Sequence, residues 1–529
     1  MFNFPIQDLG VPVRDLSIRD RLTPEVVFDR RWLFRCRVKI LVVTDSFAGG
    51  FGMTAGFHLG QALAIVNADP WSHIQFSFAK AHRGQSGEDD VIDNFRFDDH
   101  DLDQYSQIWM FGIERTNNGT PLSETELRAV SEFMDGGGGV FATGDHEDLG
   151  NSMCAEVPRV RSMRRWWYSN PGPNGEPVAP AQSGADRHDT LVGGGTQTDP
   201  DPQMIRPRLY QRTLLAGSVL KKVVRYPHPV LCGPSGILNY LPDHMHEGLC
   251  EVPDDLGNSW TFDGQEFTEY PDDSNGVQVR PEVIAYADNN VNAQEFGVLG
   301  AYDGHRADVG RVVVDATWHH WFNINTMPYA NASDPAHPSY TPATVAKWRE
   351  IQEYFRNVAV WLARPSLQRC IRNGGWIRTL GDFDIAITFQ PLNRVRDHQL
   401  YFWQLGTFAK DALGRSASRC QLTLWILDIL FPREFIELEN PFIPDRRRPE
   451  IDPPGGLDFE EFETVALGAA IHGALETFGD VKDPEKLIDD DGAAFEKVLR
   501  DSSRRGVETF VESFRANGAD VERMLRKML

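Results

Sequence analysis

Alternation of buried strands with amphipathic helices is the feature that most restricts the fold of residues 36–365. Val38–Thr44 is a run of apolar and β-branched residues that ends at Asp45, and Gly139–Thr143 is a second buried run. Apolar strands without polar alternation are typical of parallel sheets that are covered by helices on both faces. Further strands are predicted at Ile74–Phe78, Gln107–Gly112, Glu295–Gly300 and Arg311–Asp315. The pattern predicts a doubly wound, mostly parallel α/β sheet.

Helices are predicted between and after these strands. Ser123, with Glu126 three residues later, has the spacing of a capping box at a helix start. The apolar residues that follow it share one helix face: Leu127, Val130, Phe133 and Met134. Other helices are predicted at Thr54–Asn67, Pro342–Ala363, Phe459–Phe478 and Ala493–Leu529. The C-terminal region is therefore expected to be mostly helical.

The same patterns divide the chain into four regions. Residues 1–35 are polar and are predicted to form an N-terminal arm, and residues 36–365 form the α/β domain. Residues 366–456 form a mixed connecting region that ends in a Pro/Gly-rich linker, and residues 457–529 form the helical C-terminal region. Within the α/β domain, residues 151–290 are rich in Pro, Gly, Asp and Asn and have few periodic segments. They are predicted to be a long insertion.

The charge of the chain restricts its partners. Its 529 residues include 53 Lys and Arg against 76 Asp and Glu, which gives a formal charge of −23. This balance repels phosphate backbones and anionic membrane surfaces, so nucleic-acid binding is disfavoured. One local exception is a set of basic residues followed by aromatic ones: Arg159, Arg161, Arg164, Arg165, Trp166, Trp167 and Tyr168. These residues fit either a nucleotide contact or a loop anchored by its tryptophans, and the overall charge favours the loop.

Localisation is predicted from what the sequence lacks. No apolar run approaches the length of a membrane-spanning helix, and the N-terminus has neither the basic start nor the apolar run of a secretory signal. We expect a cytoplasmic protein that acts on a small-molecule substrate, without a membrane partner, and that can form a homo-oligomer. The six cysteines are dispersed and form no CxxC pair, so we expect reduced, packed thiols rather than a disulfide framework.

Several of these segments resemble a known superfamily. They are strand Val38–Thr44, the helix that ends in Phe133-Met-Asp-Gly-Gly-Gly-Gly139, strand Val140–Thr143 with its loop Gly144–Asp148, the segment Gly310–His320, and the closing helix Tyr354–Leu362. Together they are similar to the ThuA-like (trehalose utilisation) branch of the class I glutamine amidotransferase-like superfamily. The likeness covers about 36–365 in pieces, apart from the insertion. It implies a class I glutamine amidotransferase-like fold and a sugar-like substrate for an oxidoreductase or isomerase.

The sequence departs from a true amidotransferase at the nucleophile. Such an enzyme places a cysteine at the sharp turn after the strand that corresponds to Val140–Thr143. This chain has Gly144, Asp145 and His146 there, and Cys154 lies further along. Hydrolysis of glutamine through a thiolate is therefore not expected.

Polar clusters follow the predicted strands, and ligands of open parallel sheets bind beyond the carboxyl ends of strands. Asp45-Ser46, Asp145–Asp148 and Asp315 with His319 and His320 are three such clusters. A fourth lies in the insertion, in the segment Pro242-Asp-His-Met-His-Glu247. Its two histidines, His244 and His246, would face the same side of an extended segment because side chains alternate along a strand.

Convergence of these clusters predicts a metal-dependent site. Imidazole and carboxylate groups are ligands of zinc-like divalent metals. The predicted metal ligands are His146, His244, His246, His319 and His320. The predicted catalytic residues are Asp145, Glu147 and Asp315, with Glu147 taking a proton from metal-bound water. Each cluster taken alone also fits a structural role, as a solvated helix cap, packed histidines or core aromatic residues.

Three functions remain open from the sequence. The first is a metal-assisted hydrolase that acts on a small molecule, and the second is the ThuA-like oxidoreductase or isomerase that the resemblance implies. The third is a non-catalytic scaffold that binds a ligand or a partner. A loose match to the dinucleotide-binding pattern, Gly50-Phe-Gly52-Met-Thr-Ala55, starts about six residues after the strand ends, so it favours a plain turn and no nucleotide cofactor.

Overall fold

The structure is a computed structural model, and the chain divides in it into two compact units. The α/β unit consists of Arg35–Arg372 with Gly414–Phe459, and the helical unit contains Asn373–Leu413 with Glu460–Leu529. The residues that the structure describes are 36–46, 50–68, 73–115, 119–146, 149–165, 202–216, 220–242, 247–288, 295–395, 398–414, 435–442, 459–478 and 492–528. The predicted N-terminal arm and the Pro/Gly-rich linker lie outside these residues.

The α/β unit is built on an 11-stranded sheet, counted over the described residues. Its six neighbouring parallel strands follow the order β3-β2-β1-β4-β5-β19. These strands are β1 (Cys36–Thr44), β2 (Ile74–His82), β3 (Val91–Ile92), β4 (Gln107–Phe111), β5 (Gly139–Thr143) and β19 (Val312–Asp315). The predicted parallel sheet is therefore confirmed, with strands that are buried along nearly their whole length in β1, β4, β5 and β19.

Beyond β19 the sheet becomes antiparallel. Strand β18 (Glu295–Tyr302) pairs with β19 in the antiparallel sense, and β17 (Glu282–Asp288) pairs with β18 in the same way. The remaining strands of this extension are β6 (Arg164–Arg165), β8 (Arg206–Pro207) and β14 (Leu249–Cys250). The insertion thus supplies regular strands that the composition of residues 151–290 did not predict.

Small sheets complete the insertion. They use β7 (Gln203–Met204), β9 (Leu209–Ala216), β10 (Leu220–Pro227), β11 (Cys232–Gly233), β12 (Gly236–Ile237), β13 (Tyr240–Leu241), β15 (Ser259–Phe262) and β16 (Gln265–Thr268). A late strand, β20 (Phe435–Phe442), pairs with β9, so a segment far along the chain returns to the α/β unit.

Helices cover both faces of the parallel strands because successive strand residues point to opposite sides. On one face, Leu41, Met110 and Ala142 belong to a core cluster that also contains Leu127 and Phe133 of the predicted amphipathic helix. On the other face, the Trp321 ring contacts the rings of Trp109, Phe111, Phe141, Tyr354 and Phe355. This two-sided cover is the doubly wound arrangement.

The helices of the α/β unit include the three that the sequence predicts there, with four more that it does not. They are α1 (Gly60–Val66), α2 (Glu124–Asp135), α3 (Asn151–Cys154), α4 (Val160–Met163), α5 (Asn323–Ala332), α6 (Pro342–Trp361) and α7 (Pro365–Leu380), whose last residues enter the helical unit. Helix α2 begins with the predicted capping box between Ser123 and Glu126. The Glu126 carboxylate also binds Arg83, which ties the box to the end of β2.

The helix predicted at Thr54–Asn67 is shorter than expected and begins only at Gly60. The preceding backbone is held by Asn323, whose side-chain amide donates to the carbonyls of Gly52 and Ala55 at 2.9 Å each. The Asn323 backbone N–H donates to the His58 carbonyl at 2.8 Å. The Leu59 N–H donates to the Gly50 carbonyl at 3.0 Å and not to that of Ala55, four residues earlier, so tertiary contacts override local helix propensity here.

The helical unit confirms the prediction of a mostly helical C-terminal region. It contains α8 (Phe383–Thr388), α9 (His398–Gly414), α10 (Phe459–Phe478) and α11 (Gly492–Met528). Glycines allow close packing of α9 and α10, since a Cβ on Gly406 would lie 1.8 Å from the Thr464 carbonyl oxygen and a Cβ on Gly468 equally close to that of Phe402. In the described part of the chain, no helix combines the length and the apolar character that crossing a membrane requires.

The cysteine prediction is wrong. Cys36 and Cys370 form a disulfide with a Cα–Cα distance of 5.9 Å, and Cys232 is also disulfide-bonded. Cys154 and Cys250 are buried free thiols. Cys36 and Cys370 are 334 residues apart, so no local spacing could have indicated the pair. Because disulfides persist in oxidising compartments, cysteine usage no longer supports the expected cytoplasmic location.

Candidate functional site

The carboxyl ends of four parallel strands lie in one row. Thr44 of β1 is paired with Phe111 of β4, and Phe111 is paired with Thr143 of β5. Thr143 is in turn paired with Asp315 of β19. Adjacent strands are about 4.8 Å apart, so the residues that follow these four come from distant parts of the chain but share one edge. We call this row, with the loops that follow it, the edge site.

Asp145 is the centre of the first polar cluster in the edge site. Its carboxylate is fully buried, and one oxygen lies 2.7 Å from Nδ1 of His146 and 3.8 Å from Nε2 of His319. His319 is almost fully buried, and its Nδ1 lies 2.6 Å from the side-chain oxygen of Asn325. His146 is different because 20% of its side chain is exposed. The cluster therefore joins a buried carboxylate to an imidazole that reaches solvent.

Aromatic packing holds His319 in this cluster. The Trp318 ring lies 3.9 Å from the His319 ring, and the Phe57 ring lies 6.2 Å from it, measured between centroids. The backbone N–H of Trp318 donates to the Gly144 carbonyl at 2.8 Å, which joins the loops after β5 and β19. Both loops are thus fixed relative to each other by hydrogen bonds and ring contacts.

Asp315 is the centre of a second network. One carboxylate oxygen lies 2.6 Å from Nδ1 of His320, and the other accepts hydrogen bonds from Trp321 Nε1 at 3.1 Å and the Tyr354 hydroxyl at 2.6 Å. Burial, with the neighbouring Asp315 charge, keeps the pKa of Tyr354 well above its usual value. The hydroxyl therefore stays a donor, and Asp315 is held among three side-chain donors.

The second network continues into the insertion. Nε2 of His320 lies 2.8 Å from the side-chain oxygen of Gln203, and the Gln203 amide donates to Glu247. Glu247 also lies 3.9 Å from Nε2 of His320 and is almost fully buried. The adjacent imidazoles of His319 and His320 thus contact different partners. His320 belongs to a buried chain of polar groups, whereas His319 contacts Asp145.

Arg164 connects the two networks. Its fully buried guanidinium donates to the backbone carbonyls of Asp145, Asp315 and Ala316. Burial lowers the pKa of this group, while the nearby Asp145 and Asp315 carboxylates act in the opposite direction. Arg164 therefore fastens the loops after β5 and β19 through their backbone.

Two other arginines of the basic segment, Arg159 and Arg161, have structural contacts too. Arg159 donates to Asp135 at 2.6 Å and to the Glu269 carbonyl at 2.8 Å. Arg161 stacks 3.4 Å from the centre of the Trp260 ring, and its Nε lies 3.4 Å from Glu269. Arg159, Arg161 and Arg164 are all buried, so in this structure their guanidinium groups serve the fold.

Asp45 stands at the end of β1. One carboxylate oxygen accepts hydrogen bonds from the backbone N–H groups of Ile113 and Glu114, at 2.7 Å and 3.2 Å. The other oxygen is buried and has no hydrogen-bond partner among the described residues. Burial raises the pKa of Asp45 to about 7. A carboxyl group with this pKa can both donate and accept a proton near neutral pH.

Cys154 does not have the environment of a nucleophile. Its side chain is fully buried, and Sγ lies 3.8 Å from the Thr143 carbonyl. Burial, with the nearby Asp45 carboxyl, raises the pKa of the thiol far above its usual range. The thiolate that nucleophilic attack requires is therefore disfavoured.

A divalent metal does not fit the described residues of the edge site. Among them, no group of three or more His, Cys, Asp or Glu side chains is arranged to hold an ion. Both ring nitrogens of His320 are within hydrogen-bond distance of side chains, those of Asp315 and Gln203. Nδ1 of His319 lies 2.6 Å from Asn325, and its Nε2 lies 3.8 Å from Asp145. Three predicted residues, Glu147, His244 and His246, lie outside the described residues.

Comparison with known proteins gives matches among solved structures only. No protein-family model matches the sequence, and no curated protein matches it significantly. A ThuA-like protein from Parabacteroides merdae matches with 15% identity and a TM-score of 0.25, over 62% of this chain and 90% of that chain. The chain is similar to ThuA-like proteins. A cytoplasmic protein from Salmonella typhimurium matches with 12% identity and a TM-score of 0.24, over 62% of this chain and 100% of that chain.

Proposed function

We propose that this ThuA-like chain hydrolyses a small molecule at the edge site, with His146 as general base and Asp145 as the residue that orients it. The observation that carries the proposal is the 2.7 Å contact between Nδ1 of a partly exposed imidazole and a fully buried carboxylate. A buried carboxylate on Nδ1 fixes the orientation of the ring and stabilises the imidazolium that forms when Nε2 takes a proton from water.

His319 supports this arrangement from the other side of the carboxylate. Its Nε2 lies 3.8 Å from the same Asp145 oxygen that contacts His146, while Asn325 contacts its Nδ1. The imidazole is enclosed, so it serves to position Asp145 rather than to meet substrate. The Arg164 contact with the Asp145 carbonyl fixes the backbone of the same residue.

Each step of the proposed reaction is assigned to side chains of the chain and none to a metal. The predicted zinc-like metal with Glu147 as base remains a prediction that involves residues outside the described part of the chain. The same assay separates the two mechanisms. A metal-dependent reaction stops after treatment with a chelator, whereas the proposed reaction continues.

The test is a hydrolysis assay with chromogenic esters, amides, phosphate esters and glycosides. Wild-type protein is compared with His146→Ala and with His337→Ala, an exposed histidine outside the edge site. We expect His146→Ala to lose about 100-fold or more in kcat for the accepted substrate class, because general-base catalysis contributes at least that much. His337→Ala should keep full activity. Equal activity of His146→Ala and wild type would refute the role of His146.

A second function is favoured by Asp45. A carboxyl group whose pKa is about 7 is suited to moving a proton between two positions of a sugar-like substrate, as an isomerase requires. Solvent deuterium would then enter the substrate during turnover, and Asp45→Asn would abolish its incorporation. No incorporation into a panel of sugars would remove this alternative.

A further inference from the structure

The Gly50–His58 loop follows β1 and is held to the segments after β2 and β19, which flank β1, β4 and β5 in the sheet. At one end, the Phe51 N–H donates to Glu88, which follows β2, at 2.8 Å. At the other end, the Phe57 ring packs 5.7 Å from that of Trp318 and 6.2 Å from that of His319, which follow β19. The His58 carbonyl accepts a hydrogen bond from the backbone of Asn323 at 2.8 Å. His58 is therefore carried by a loop that is fixed to both sides of the edge site.

Two glycines, Gly50 and Gly52, let the backbone pack closely against the His58 ring. A Cβ on Gly50 would lie 2.4 Å from Cε1 and Nε2 of His58, and a Cβ on Gly52 would lie 2.9 Å from Nδ1. Any other residue at Gly50 would also come within 2.7 Å of a Glu88 oxygen. Gly50 and Gly52, which loosely match a dinucleotide pattern, thus have a different role here. They let the backbone approach the His58 imidazole closely.

The backbone N–H of Gly52 also sets the tautomer of His58. The Gly52 N–H donates to Nδ1 at 2.9 Å, so Nδ1 must present a lone pair and the neutral ring carries its proton on Nε2. Glu88 lies 3.5 Å from Nδ1, but the same carboxylate oxygen accepts the Phe51 N–H. Nε2 has no hydrogen-bond partner among the described residues, is not a buried atom, and 25% of the side chain is exposed.

We propose that His58 is a further catalytic residue, whose Nε2–H group donates a hydrogen bond to the carbonyl oxygen of a neutral ester or amide substrate. This inference rests on the proposed hydrolase function and names its substrate class. The carboxylates of Glu88, beside His58, and of Asp145, beside His146, repel anionic ligands, which favours a substrate that is neutral in its ground state. A neutral imidazole is a suitable donor to an oxygen that gains negative charge during the reaction.

The reaction is balanced without another reactant. The oxygen of water bonds to the carbonyl carbon as His146 takes its proton, and the carbonyl π electrons move to the oxygen that His58 Nε2–H contacts. The bond to the leaving alcohol or amine then breaks, and His146 returns the proton to that leaving group. His58 keeps its proton throughout, and the products are a carboxylic acid and an alcohol or amine.

The first test is the tautomer, read by NMR from the ring nitrogens of 15N-histidine-labelled protein near neutral pH. The His58 signals are assigned by their loss in His58→Ala. His337 is the matched control, because its Nδ1 also accepts a backbone N–H, from Ser339 at 3.2 Å, but it lies outside the edge site. We expect the Nε2–H tautomer at both positions. A proton on Nδ1 of His58 would overturn the proposal whether or not a substrate is known.

The second test is kinetic, with chromogenic esters and amides. His58→Ala should lower kcat by about 100-fold with little change in KM, the usual effect of losing one donor to the developing oxyanion. His58→Gln should recover part of the rate because its amide can also donate, and His337→Ala should match wild type. If His146→Ala is inactive and His58→Ala is fully active, only the present inference fails. If wild type hydrolyses neither esters nor amides, the proposed substrate class is wrong. Hydrolysis of the phosphate esters or glycosides would then still support the proposed hydrolase function, and hydrolysis of none of the probes would contradict it.

Discussion

At the scale of residues, the chemistry of the edge site depends on the protonation states of its buried carboxyl groups. Asp145 and Asp315 are each paired with an imidazole at hydrogen-bond distance, whereas one oxygen of Asp45 has no described hydrogen-bond partner. Clusters at strand ends could be predicted, because the strands were recognisable and their carboxyl ends meet at one edge. Gln203 and Asn325 could not be predicted as partners, because each lies in a segment whose neighbours are set only by tertiary packing.

Two histidines outside the edge site should make the protein sensitive to acid. Burial lowers the pKa of His228 and of His305 to about 3 from an ordinary value near 6.5. Between these pH values the unfolded chain binds protons that the folded chain excludes, so the free energy of unfolding should fall as pH decreases from about 6.5 towards 3. Asp45 acts in the opposite direction, because its raised pKa makes the folded chain bind a proton more tightly between about pH 4 and 7.

Urea unfolding at about pH 7 and about pH 5 checks this prediction. His228→Gln should reduce the loss of unfolding free energy between the two pH values, because glutamine does not titrate there. His337→Gln is the control at an exposed position and should behave as wild type. An unchanged pH dependence in His228→Gln would show that His228 does not exclude a proton in the folded state.

At the scale of elements, strands were easier to predict than the loops that join them. The buried residues of strands β1, β5 and β19 are apolar or glycine until the last one, which is Thr44, Thr143 or Asp315, so their sequence indicates both type and position. Helix α1 begins later than predicted, and the backbone before it is held by hydrogen bonds from Asn323, which no local pattern could reveal. The short strands of the insertion are similarly defined by partners from elsewhere in the chain.

The disulfide between the start of β1 and helix α7 should stabilise the α/β unit. Closing a loop of this length restricts the unfolded chain, and native disulfides typically contribute about 2–4 kcal/mol. Reduction, or the double substitution Cys36→Ala with Cys370→Ala, should therefore lower Tm without abolishing the fold. The buried thiol substitution Cys250→Ala serves as a control, and its Tm should still respond to reductant. Identical Tm values with and without reductant, together with a free-thiol count of six, would contradict the disulfide.

At the scale of the whole molecule, the chain passes between its two units more than once. Asn373–Leu413 belongs to the helical unit, Gly414–Phe459 returns to the α/β unit, and Glu460–Leu529 belongs to the helical unit again. Strand β20 belongs to the returning segment and pairs with β9. The sequence predicts α10 and α11 but not α9 or β20, and its patterns do not show to which unit each element belongs. A single cut therefore cannot separate the two units.

Truncation at Pro453 tests this organisation. The cut removes α10 and α11, and α9 would lose the close contacts of Gly406 with Thr464 and of Gly468 with Phe402. The buried side chains of Phe402 and Leu405 would then be exposed to water. We expect limited proteolysis to degrade residues 373–414 rapidly while the α/β unit survives. Protease resistance of residues 373–414 in the truncated chain would show that this segment folds without α10 and α11.

Asp145→Asn is the most direct test of the edge site, because it removes one charge while keeping the shape of the side chain. Asparagine cannot stabilise the imidazolium that His146 forms when it takes a proton from water, so kcat for the accepted substrate should fall by about 100-fold or more while Tm stays close to the wild-type value. Full turnover by a folded Asp145→Asn protein would contradict the role assigned to the Asp145–His146 pair.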